Sequence, residues 1–453
     1  MSTYGSQFAE WAAGLKYSML PRECIYEVKR RVIDSIGCAL GAWRSAPAKV
    51  ARKVAMSVKS PGGASVMGTK HRTTPDLAAF ANGAMVRYLD FNDTYLSLEP
   101  AHPSDNIPPA LAVAQAAGRS GKDAILAIAI GYEVQCRLCD AASLRAHGWD
   151  HVTYGALSTT LLAGKLWKLN PTRLEHALGL AGVCNIATRQ TRTGQLSMWK
   201  ACAFSNAARN GVFAANLARL GMSGPYEIFE GPKGVMKQLT GPFEMVPLAT
   251  TSDWMINRTY IKYWPAEYHS QSAIDAILQL RAEINGAAVR SLEIKSFEAA
   301  VSIIGSEVEK WRPTSRETAD HSMPYCVAVA LLDGDVKRSS FNAAKLKDKR
   351  ILDLVDKITI AEDPALNSAY PEGIPNDLHV TLEDGRTLRK RVDFPRGHNR
   401  NPMTDEEVEK KFRMQAKGVV SPKTADKILE LAWGMDKLKD VSPLLEFKSL
   451  VAP

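Results

Sequence analysis

The sequence predicts a mostly α-helical first domain followed by a smaller α+β second domain. Residues 1 to about 265 carry apolar residues at helical spacing, and strand-like alternation begins only after about residue 286. In the second region an Asp384-Gly385 pair separates two alternating runs. We therefore place an all-helical domain at residues 1–266 and an α+β domain at residues 267–400, and we expect residues 401–453 to pack back on the first domain.

Helix signals recur through the first domain. Pro21 suits a first helical position, and it precedes apolar residues at helical spacing, namely Ile25, Val28, Val32, Ile33 and Ile36. Thr172-x-x-Glu175 predicts a capping box, and Gly221 is a suitable residue to follow a helix over 205–220. Several of these segments are apolar on nearly all sides, which predicts helices buried in a bundle.

The second domain carries strand and hairpin signals. Residues 292–296 alternate between apolar and charged side chains, and residues 357–360 do the same. Asp384-Gly385 favours the type I′ turn that joins twisted antiparallel strands, so residues 378–394 predict a hairpin. Helices return at Thr404-x-x-Glu407, a second capping box, and at Ser421-Pro422.

Composition excludes several classes of protein. The chain is 45% hydrophobic and 23% charged, which is the balance of a globular protein. Its net charge is +9 without a run of five like charges, so we expect no nucleic-acid partner. The excess of cations is then either solvated or part of a site for a polyanionic metabolite.

Cysteine usage and the N-terminus indicate a cytoplasmic protein. The seven cysteines are an odd number and scattered, which is typical of a reducing compartment, and Cys136-x-x-Cys139 reads as helix packing. The first residues have neither the basic nor the apolar stretch of a signal peptide. The longest apolar stretch, 124–134, is too short to span a bilayer, so we expect no membrane association.

Chemistry-bearing side chains lie in the segments that connect helices. Nucleotide-binding glycine loops, a nucleophile elbow and a His-Glu-x-x-His motif are missing from the sequence. Asp90 and Thr94 lie in one polar segment, and His102 follows closely. Such a segment can supply both an acid and a base, although turn formation and helix capping explain it as well. His151 lies between two helical segments, where a single histidine is more often structural.

A second group of polar segments is suited to anions. Arg189, Arg192 and Lys200 fall within twelve residues, which fits either a multiply charged anion or a solvated loop. His269 and His321 each lie just before a predicted helix, with Ser270 and Ser322 beside them. Helix N-termini attract carboxylates and phosphates, so these histidines and the cationic segment together predict an anion site.

Taken in order, these motifs resemble the MmgE/PrpD family over essentially the whole chain. The resemblance is most specific at residues 89–94, 102–106, 190–225, 265–270, 320–325 and 395–402. The best-known members are 2-methylcitrate dehydratases, and the family includes cis-aconitate decarboxylases and an iminodisuccinate epimerase. The resemblance implies a helical domain that carries much of the site, a lid-like α+β domain and a homodimer. It also implies chemistry without an iron–sulfur cluster, so we expect no metal and no cofactor.

The resemblance also implies roles for individual residues. It assigns proton transfer to Asp90, His102 and His151, and it assigns Lys200 and His269 to the substrate carboxylates or the developing negative charge. It leaves open which group is base and which is acid. The residues implied to shape the site are Thr94, Arg192, Lys262, Tyr263 and His321.

The expected reaction is dehydration of 2-methylcitrate to 2-methylaconitate, as part of propionate catabolism. Asn92 and the seven residues between Thr94 and His102 resemble the dehydratase branch, since decarboxylase-type members tend to have an acidic residue and a shorter spacing. Decarboxylation of cis-aconitate and epimerisation of a related polycarboxylate remain the alternatives, with non-enzymatic anion binding as a third. If His102 and His151 act on one substrate in different protonation states, a bell-shaped pH dependence follows.

Overall fold

The computed structural model describes residues 2–449 and contains two large hydrophobic cores. The first core collects buried side chains from residues 8–261 and again from residues 403–447. The second core collects residues 260–392 together with Leu96. In the described residues no helix is long and apolar enough to cross a membrane.

The first core is a helical bundle. Its helices are α1 Tyr4–Gly14, α2 Arg22–Gly41, α3 Ala46–Met56, α4 Pro75–Arg87, α5 Ile107–Ala116, α6 Gly121–Ala141, α7 Thr153–Leu166, α8 Pro171–Cys184 and α9 Ala203–Arg219. A two-stranded antiparallel ribbon, β1 Ala64–Ser65 and β2 Arg72–Thr73, lies between α3 and α4. Helices α6 and α7 are buried on nearly all sides, as their apolar composition predicts. Cys136 and Cys139 lie on α6, and both side chains are buried.

One predicted helix start is wrong. The sequence predicts a capping box at Thr172 and Glu175, but α8 begins at Pro171, and Asn170 is its N-cap. The Asn170 side chain accepts a hydrogen bond from the Arg173 backbone N–H at 2.9 Å. Asparagine caps a helix at least as well as threonine, and proline fits the first helical position, so the Asn-Pro pair moves the start two residues earlier.

The second core combines one mixed sheet with short helices. In chain order its elements are α10 Gln271–Ile284, β3 Val289–Ser296, α11 Glu298–Ala300, α12 Val308–Trp311, α13 Arg316–Ala319, α14 Met323–Asp333, α15 Lys349–Val355, β4 Ile358–Glu362, α16 Pro364–Asn367, β5 Asn376–Leu382 and β6 Thr387–Val392. The strand order is β4-β3-β5-β6, with β4 parallel to β3 and the other neighbours antiparallel. The hairpin predicted around Asp384-Gly385 is confirmed as β5–β6, and Gly385 has a positive φ of 89°.

The C-terminal helices return to the first core. Helices α17 Asp405–Ala416 and α18 Pro422–Trp433 both pack against α2. The capping box at Thr404 and Glu407 is confirmed, and Ser421 caps α18 ahead of Pro422.

The chain therefore crosses between the two cores twice, and the two crossing segments lie side by side. The Tyr260 ring of the outgoing segment stacks on the His398 ring of the returning one, with ring centroids 4.4 Å apart. A Cβ atom on Gly397 would lie 2.0 Å from the Ile261 carbonyl oxygen, so only glycine allows this approach.

Candidate active site

Asp90 lies at the centre of a buried charged cluster. Helix α4 ends at Arg87, and the Asp90 backbone N–H donates to the Arg87 carbonyl at 3.1 Å. Asp90 itself adopts a positive φ of 51°, a left-handed conformation that aspartate tolerates better than most residues. This turn directs a side chain that is only 1% exposed toward the second core.

Three cations surround the Asp90 carboxylate. Arg87 lies 2.8 Å and Lys262 2.6 Å from its Oδ1 atom, and Lys200 lies 3.2 Å from its Oδ2 atom. Burial alone would raise the pKa of Asp90, but Arg87, Lys262 and Lys200 hold that pKa well below its usual range. Asp90 is therefore an ionised and weakly basic carboxylate that fixes the positions of the surrounding cations.

Lys200 connects the two cores through this cluster. Its Nζ atom donates to Asp320 Oδ1 at 2.9 Å and lies 3.0 Å from His321 Nδ1. Ligand-capable atoms of Asp90, Asp320 and His321 lie within 4.8 Å of one another, a geometry that could hold a metal ion. The Lys200 ammonium already lies at hydrogen-bond or ion-pair distance from each of the three. A metal ion would have to displace that ammonium, so the donor set as arranged fits an internal cation better than a metal. We refer to Arg87, Asp90, Lys200, Lys262, Asp320 and His321 as the Asp90 cluster.

His102 is held neutral at the edge of this cluster. Its Nδ1–H donates to the Asp93 carbonyl at 2.8 Å and lies 3.1 Å from Thr94 Oγ1. Its Nε2 atom accepts from Arg87 at 2.8 Å, because a guanidinium can only donate. Burial, with the charges of Arg87 and Lys262, holds the pKa of His102 well below its usual value. Both ring nitrogens are thus engaged.

His151 has one ring nitrogen held and the other free. Its Nδ1 atom lies 3.1 Å from Asp150 Oδ1, while its buried Nε2 has no hydrogen-bond partner among the described residues. The second oxygen of Asp150 accepts from Arg192 at 3.0 Å. Burial, assisted by Arg192, lowers the pKa of His151 to about 3 even though Asp150 opposes the shift. His151 is therefore a neutral imidazole oriented by a carboxylate.

His269 repeats this arrangement from the second core. Its Nδ1 atom lies 2.7 Å from Glu267 Oε1, and its buried Nε2 is likewise without a partner in the described part of the chain. Burial opposes ionisation of Glu267, but His269, together with His321 and Lys262, lowers the pKa of Glu267 to about 2. We call Asp150–His151 and Glu267–His269 the acid–histidine pairs.

The local structure at His269 differs from the sequence prediction. We expected Ser270 to cap the following helix and His269 to lie beside free backbone N–H groups. Instead His269 lies in a short 3₁₀ turn, Tyr268–Ser270, that runs directly into α10. The Glu267 side chain accepts from the His269 backbone N–H at 2.7 Å, and the Ser270 hydroxyl donates to the Glu267 carbonyl. Glu267 thus caps the turn and orients the imidazole at once.

A cavity between the two cores gathers most of the residues predicted from the sequence. The predicted residues that line it are Asp90, Thr94, His102, Arg192, His151, Lys262, His269 and His321. Lys200 contacts Asp90 from within the cluster. Further cations on its wall are Arg87, Arg145, Arg189 and Lys310, and its apolar wall consists of Leu96, Pro100 and Ile303. The cavity therefore combines titratable nitrogens with an excess of positive charge.

Tyr263 lies apart from this cavity. It follows Lys262 at the start of a bend over residues 263–266. Lys262 contacts Asp90, whereas Tyr263 packs edge-on against Trp264 and lines a separate cavity with Phe91 and Met403.

Sequence reasoning assigned no role to four residues that organise the site, namely Arg87, Asp150, Glu267 and Asp320. Three of them are acids within two positions of a predicted histidine, as in Asp150-His151, Glu267-x-His269 and Asp320-His321. That spacing is a usable signal, because an imidazole needs a second partner to fix its tautomer.

A larger cavity lies elsewhere in the second core. It measures about 620 Å³ and lies at the ends of α10 and α14. Its charged lining residues are Arg281, Arg350, Asp353 and Lys357. Its described lining residues include no histidine, so this cavity lacks the imidazoles found between the cores.

Two family models together match most of the chain. The model of the MmgE/PrpD N-terminal domain matches residues 6–247. The model of the MmgE/PrpD C-terminal domain matches residues 264–437.

Characterised relatives are similar over nearly their whole length. A 2-methylcitrate dehydratase of Cupriavidus necator is 31% identical, and the match covers 98% of this chain and 94% of the relative. A cis-aconitate decarboxylase of Homo sapiens is 28% identical, with 96% and 92% covered. A 2-methylcitrate dehydratase of Escherichia coli K12 is also 28% identical, with 92% and 91% covered.

Proposed function

Because the chain belongs to the MmgE/PrpD family, we propose that it is a hydro-lyase that converts 2-methylcitrate to 2-methylaconitate. One observation carries this proposal. Two histidines, each oriented by a carboxylate, face a cavity lined with arginines and lysines. The Nε2 atom of each has no hydrogen-bond partner among the residues that the structure describes. Elimination of water from a tricarboxylate needs a base for the C–H bond, cations for the carboxylates and a donor for the departing hydroxide.

The free histidine nitrogens are suited to removing the proton. A C–H beside a carboxylate is poorly acidic, so the base must be neutral, oriented and close to stabilising cations. Nε2 of His151 meets these conditions because burial keeps that imidazole neutral, and Nε2 of His269 is oriented by Glu267 in the same way. We therefore assign the base to one of these two atoms. Asp90 and His102 serve better as fixed parts of the site, since their acceptor atoms already bind cations.

Cations in and around the Asp90 cluster are suited to binding the substrate carboxylates, stabilising the negative charge that develops and protonating the leaving hydroxide. Arg145, Arg189 and Arg192 line the same cavity and can hold the carboxylates. Burial lowers the pKa of Lys262 although Asp90 opposes the shift, and a lysine shifted in this direction gives up its proton more readily. We therefore assign protonation of the departing hydroxide to an ammonium of this cluster.

Decarboxylation of cis-aconitate is the second candidate, because several of the similar proteins carry that name. The same base and cations would serve it. Asn92, which resembles the dehydratase branch in sequence, is buried and donates to Ser104 Oγ and Asp105 Oδ1, each at 3.0 Å. Asn92 therefore influences the loop that carries Asp90 rather than the cavity wall directly.

A panel of substrates tests the proposal. Purified protein is incubated with 2-methylcitrate, citrate and cis-aconitate while the ultraviolet absorbance of a conjugated product and the release of carbon dioxide are recorded. Dehydration gives absorbance without carbon dioxide, whereas decarboxylation releases carbon dioxide from cis-aconitate. Deuterium incorporation in heavy water without a new double bond would indicate epimerisation. Activity on none of these compounds would reject the proposal.

We further propose that the protein acts as a cytoplasmic homodimer in propionate catabolism. Exposed apolar side chains on and around α8 and α9 support the dimer, since large apolar side chains are often covered by a partner: Val183, Ile186, Met198, Trp199, Phe213 and Leu220. Light scattering on the eluted protein should give twice the chain mass, and Trp199→Glu should lower it. A monomer at micromolar concentration would contradict the dimer.

A further inference from the structure

Lys411 is a buried lysine that contacts the active-site segments from the side opposite the cavity. It lies on α17, which belongs to the C-terminal return of the chain, and it is 5% exposed. Its ammonium donates to the Phe91 carbonyl at 2.7 Å and to the Lys262 carbonyl at 2.8 Å. The same nitrogen lies 2.6 Å from Asp34 Oδ1 on α2 and 3.8 Å from the centre of the Phe91 ring.

The two carbonyls belong to the two segments that meet in the Asp90 cluster. Phe91 directly follows Asp90, and Lys262 supplies the ammonium that lies 2.6 Å from Asp90 Oδ1 and 3.1 Å from the Asp90 carbonyl. One buried ammonium therefore holds together the backbones of both members of the Asp90–Lys262 pair.

The conformation of Asp90 makes such a restraint necessary. A non-glycine residue at a φ of 51° costs free energy and persists only where its surroundings fix it. On the cavity side, the Asp90 carboxylate is held by side chains that also face the substrate. Lys411 restrains the same turn through its backbone and lies outside the cavity wall.

We propose that Lys411 is a positioning residue that sets the distance between Asp90 and Lys262 during catalysis. The proposal rests on the proposed function, in which Lys262 belongs to the cations that receive charge or donate a proton. Displacing such a group by about 1 Å can cost on the order of 10²-fold in rate, while carboxylate binding by the arginines is left in place. Loss of the Lys411 bridge is thus expected to lower kcat more than it raises KM.

The test compares Lys411→Met with Lys410→Met, the neighbouring exposed lysine on the same helix. For Lys411→Met we expect kcat to fall by about 10- to 100-fold with KM changed by less than about threefold. Hydrogen exchange followed by mass spectrometry should show at least about tenfold faster exchange in residues 88–96 and 258–266. Lys410→Met should match the wild type in both measurements.

Two further variants separate positioning from simple stabilisation. Asp34→Asn removes the counter-charge but keeps both carbonyl bonds, so its kcat should stay within about threefold of wild type. A loss in Asp34→Asn equal to that in Lys411→Met would overturn the proposal, as would unchanged kcat and exchange in Lys411→Met. Should Lys411→Met not fold, Lys411→Gln takes its place, and wild-type kcat in that variant would also overturn it. Hydrogen exchange needs no substrate, so the bridge is tested even if the wild type turns over none of the proposed compounds.

Discussion

The Asp90 cluster and the acid–histidine pairs face the same cavity but differ in how their polar atoms are used. Each oxygen of Asp90 lies within 3.2 Å of a cation, and Lys200 contacts three groups at once. His151 and His269 each have one nitrogen beside a carboxylate and one that meets no partner within residues 2–449. A group whose partners are all internal fixes geometry and charge, whereas a group with a free, oriented atom can exchange a proton with a substrate. The contrast separates the static part of the site from its reactive part.

Replacing a free-nitrogen histidine should have the largest effect. For His151→Gln and for His269→Gln we expect kcat/KM to fall by at least about 100-fold each, because glutamine keeps polarity but cannot accept a proton. The double variant should lose much less than the product of the two losses, since both act on one substrate. His147→Gln, an exposed histidine four positions away from His151, is the matched control.

The pH dependence of kcat/KM in the wild type tests whether His151 is a neutral base. Because the pKa of buried His151 is lowered to about 3, this imidazole stays neutral through the range in which a free histidine gains its proton. The acidic limb of kcat/KM should therefore lie well below pH 6.5 rather than close to it. A limb near pH 6.5 that vanishes in His151→Gln would show that His151 titrates as an ordinary exposed histidine.

Removing a cation from the Asp90 cluster should have a smaller effect on rate. Lys200→Ala leaves Asp90 and Asp320 facing each other without the ammonium between them. We expect roughly a threefold rise in KM and a comparable fall in kcat, about tenfold in kcat/KM, because Asp90 and Asp320 then repel each other and displace Lys262 and His321 on the cavity wall. Lys237→Ala, at an exposed lysine, provides the control. Wild-type kinetics in a folded Lys200→Ala protein would place Lys200 outside the catalytic arrangement.

The pH dependence of the free energy of unfolding tests the protonation state of Asp105, a buried acid near Arg87. Its Oδ2 atom lies 3.9 Å from Arg87 Nε, and burial raises its pKa from 3.8 to about 7. The folded protein therefore keeps this proton between pH 4 and 7 while the unfolded chain releases it, so the wild type loses stability as pH rises through that window. The free energy of unfolding of Asp105→Asn relative to wild type should grow by on the order of 2–4 kcal/mol from pH 4 to pH 7.

The exposed acid Glu10 supplies the comparison for that experiment. Glu10→Gln should show a nearly constant difference from wild type in urea titrations at pH 4, 5.5 and 7. A constant difference for Asp105→Asn as well would mean that Asp105 ionises normally in the folded protein.

Chelation should have the smallest effect of all. Since the Lys200 ammonium lies among the three groups that could bind a metal, we expect activity to persist after prolonged treatment with a chelator and desalting. Elemental analysis of the same samples completes the test. Activity that falls with chelation and returns with one specific metal would contradict the internal-cation interpretation.

The sequence predicted those parts of the fold that local chemistry determines. The β5–β6 hairpin and the Thr404 capping box depend on residues within a few positions of each other, and both are confirmed. The failed capping box at Thr172 shows the limit of such reasoning, because two competing start signals overlap there. Family motifs indicated segments that are distant in the sequence, and the fold brings most of their predicted residues to one cavity.

Which side chains contact one another in the site was harder to predict from the sequence. Lys262 and Tyr263 are adjacent in the sequence, yet their side chains line different cavities. The neutral state of His102 depends on Arg87, fifteen positions away, and on burial that no motif records. The hydrogen-bond partners of these side chains and the burial that shifts their pKa both depend on tertiary packing. They could therefore be determined only from the three-dimensional structure.

The side-by-side crossing of the chain between the cores has a mechanical consequence. Tyr260 and Ile261 leave the first core where Gly397 and His398 return to it, so both connections pass through one place. Because the two covalent connections are adjacent, contacts elsewhere must set the angle between the cores. Lys200 supplies such contacts at the cavity, where its ammonium joins Asp90 of the first core to Asp320 and His321 of the second. The ion pairs of one buried lysine therefore also govern how far His151 lies from His269 across the cavity.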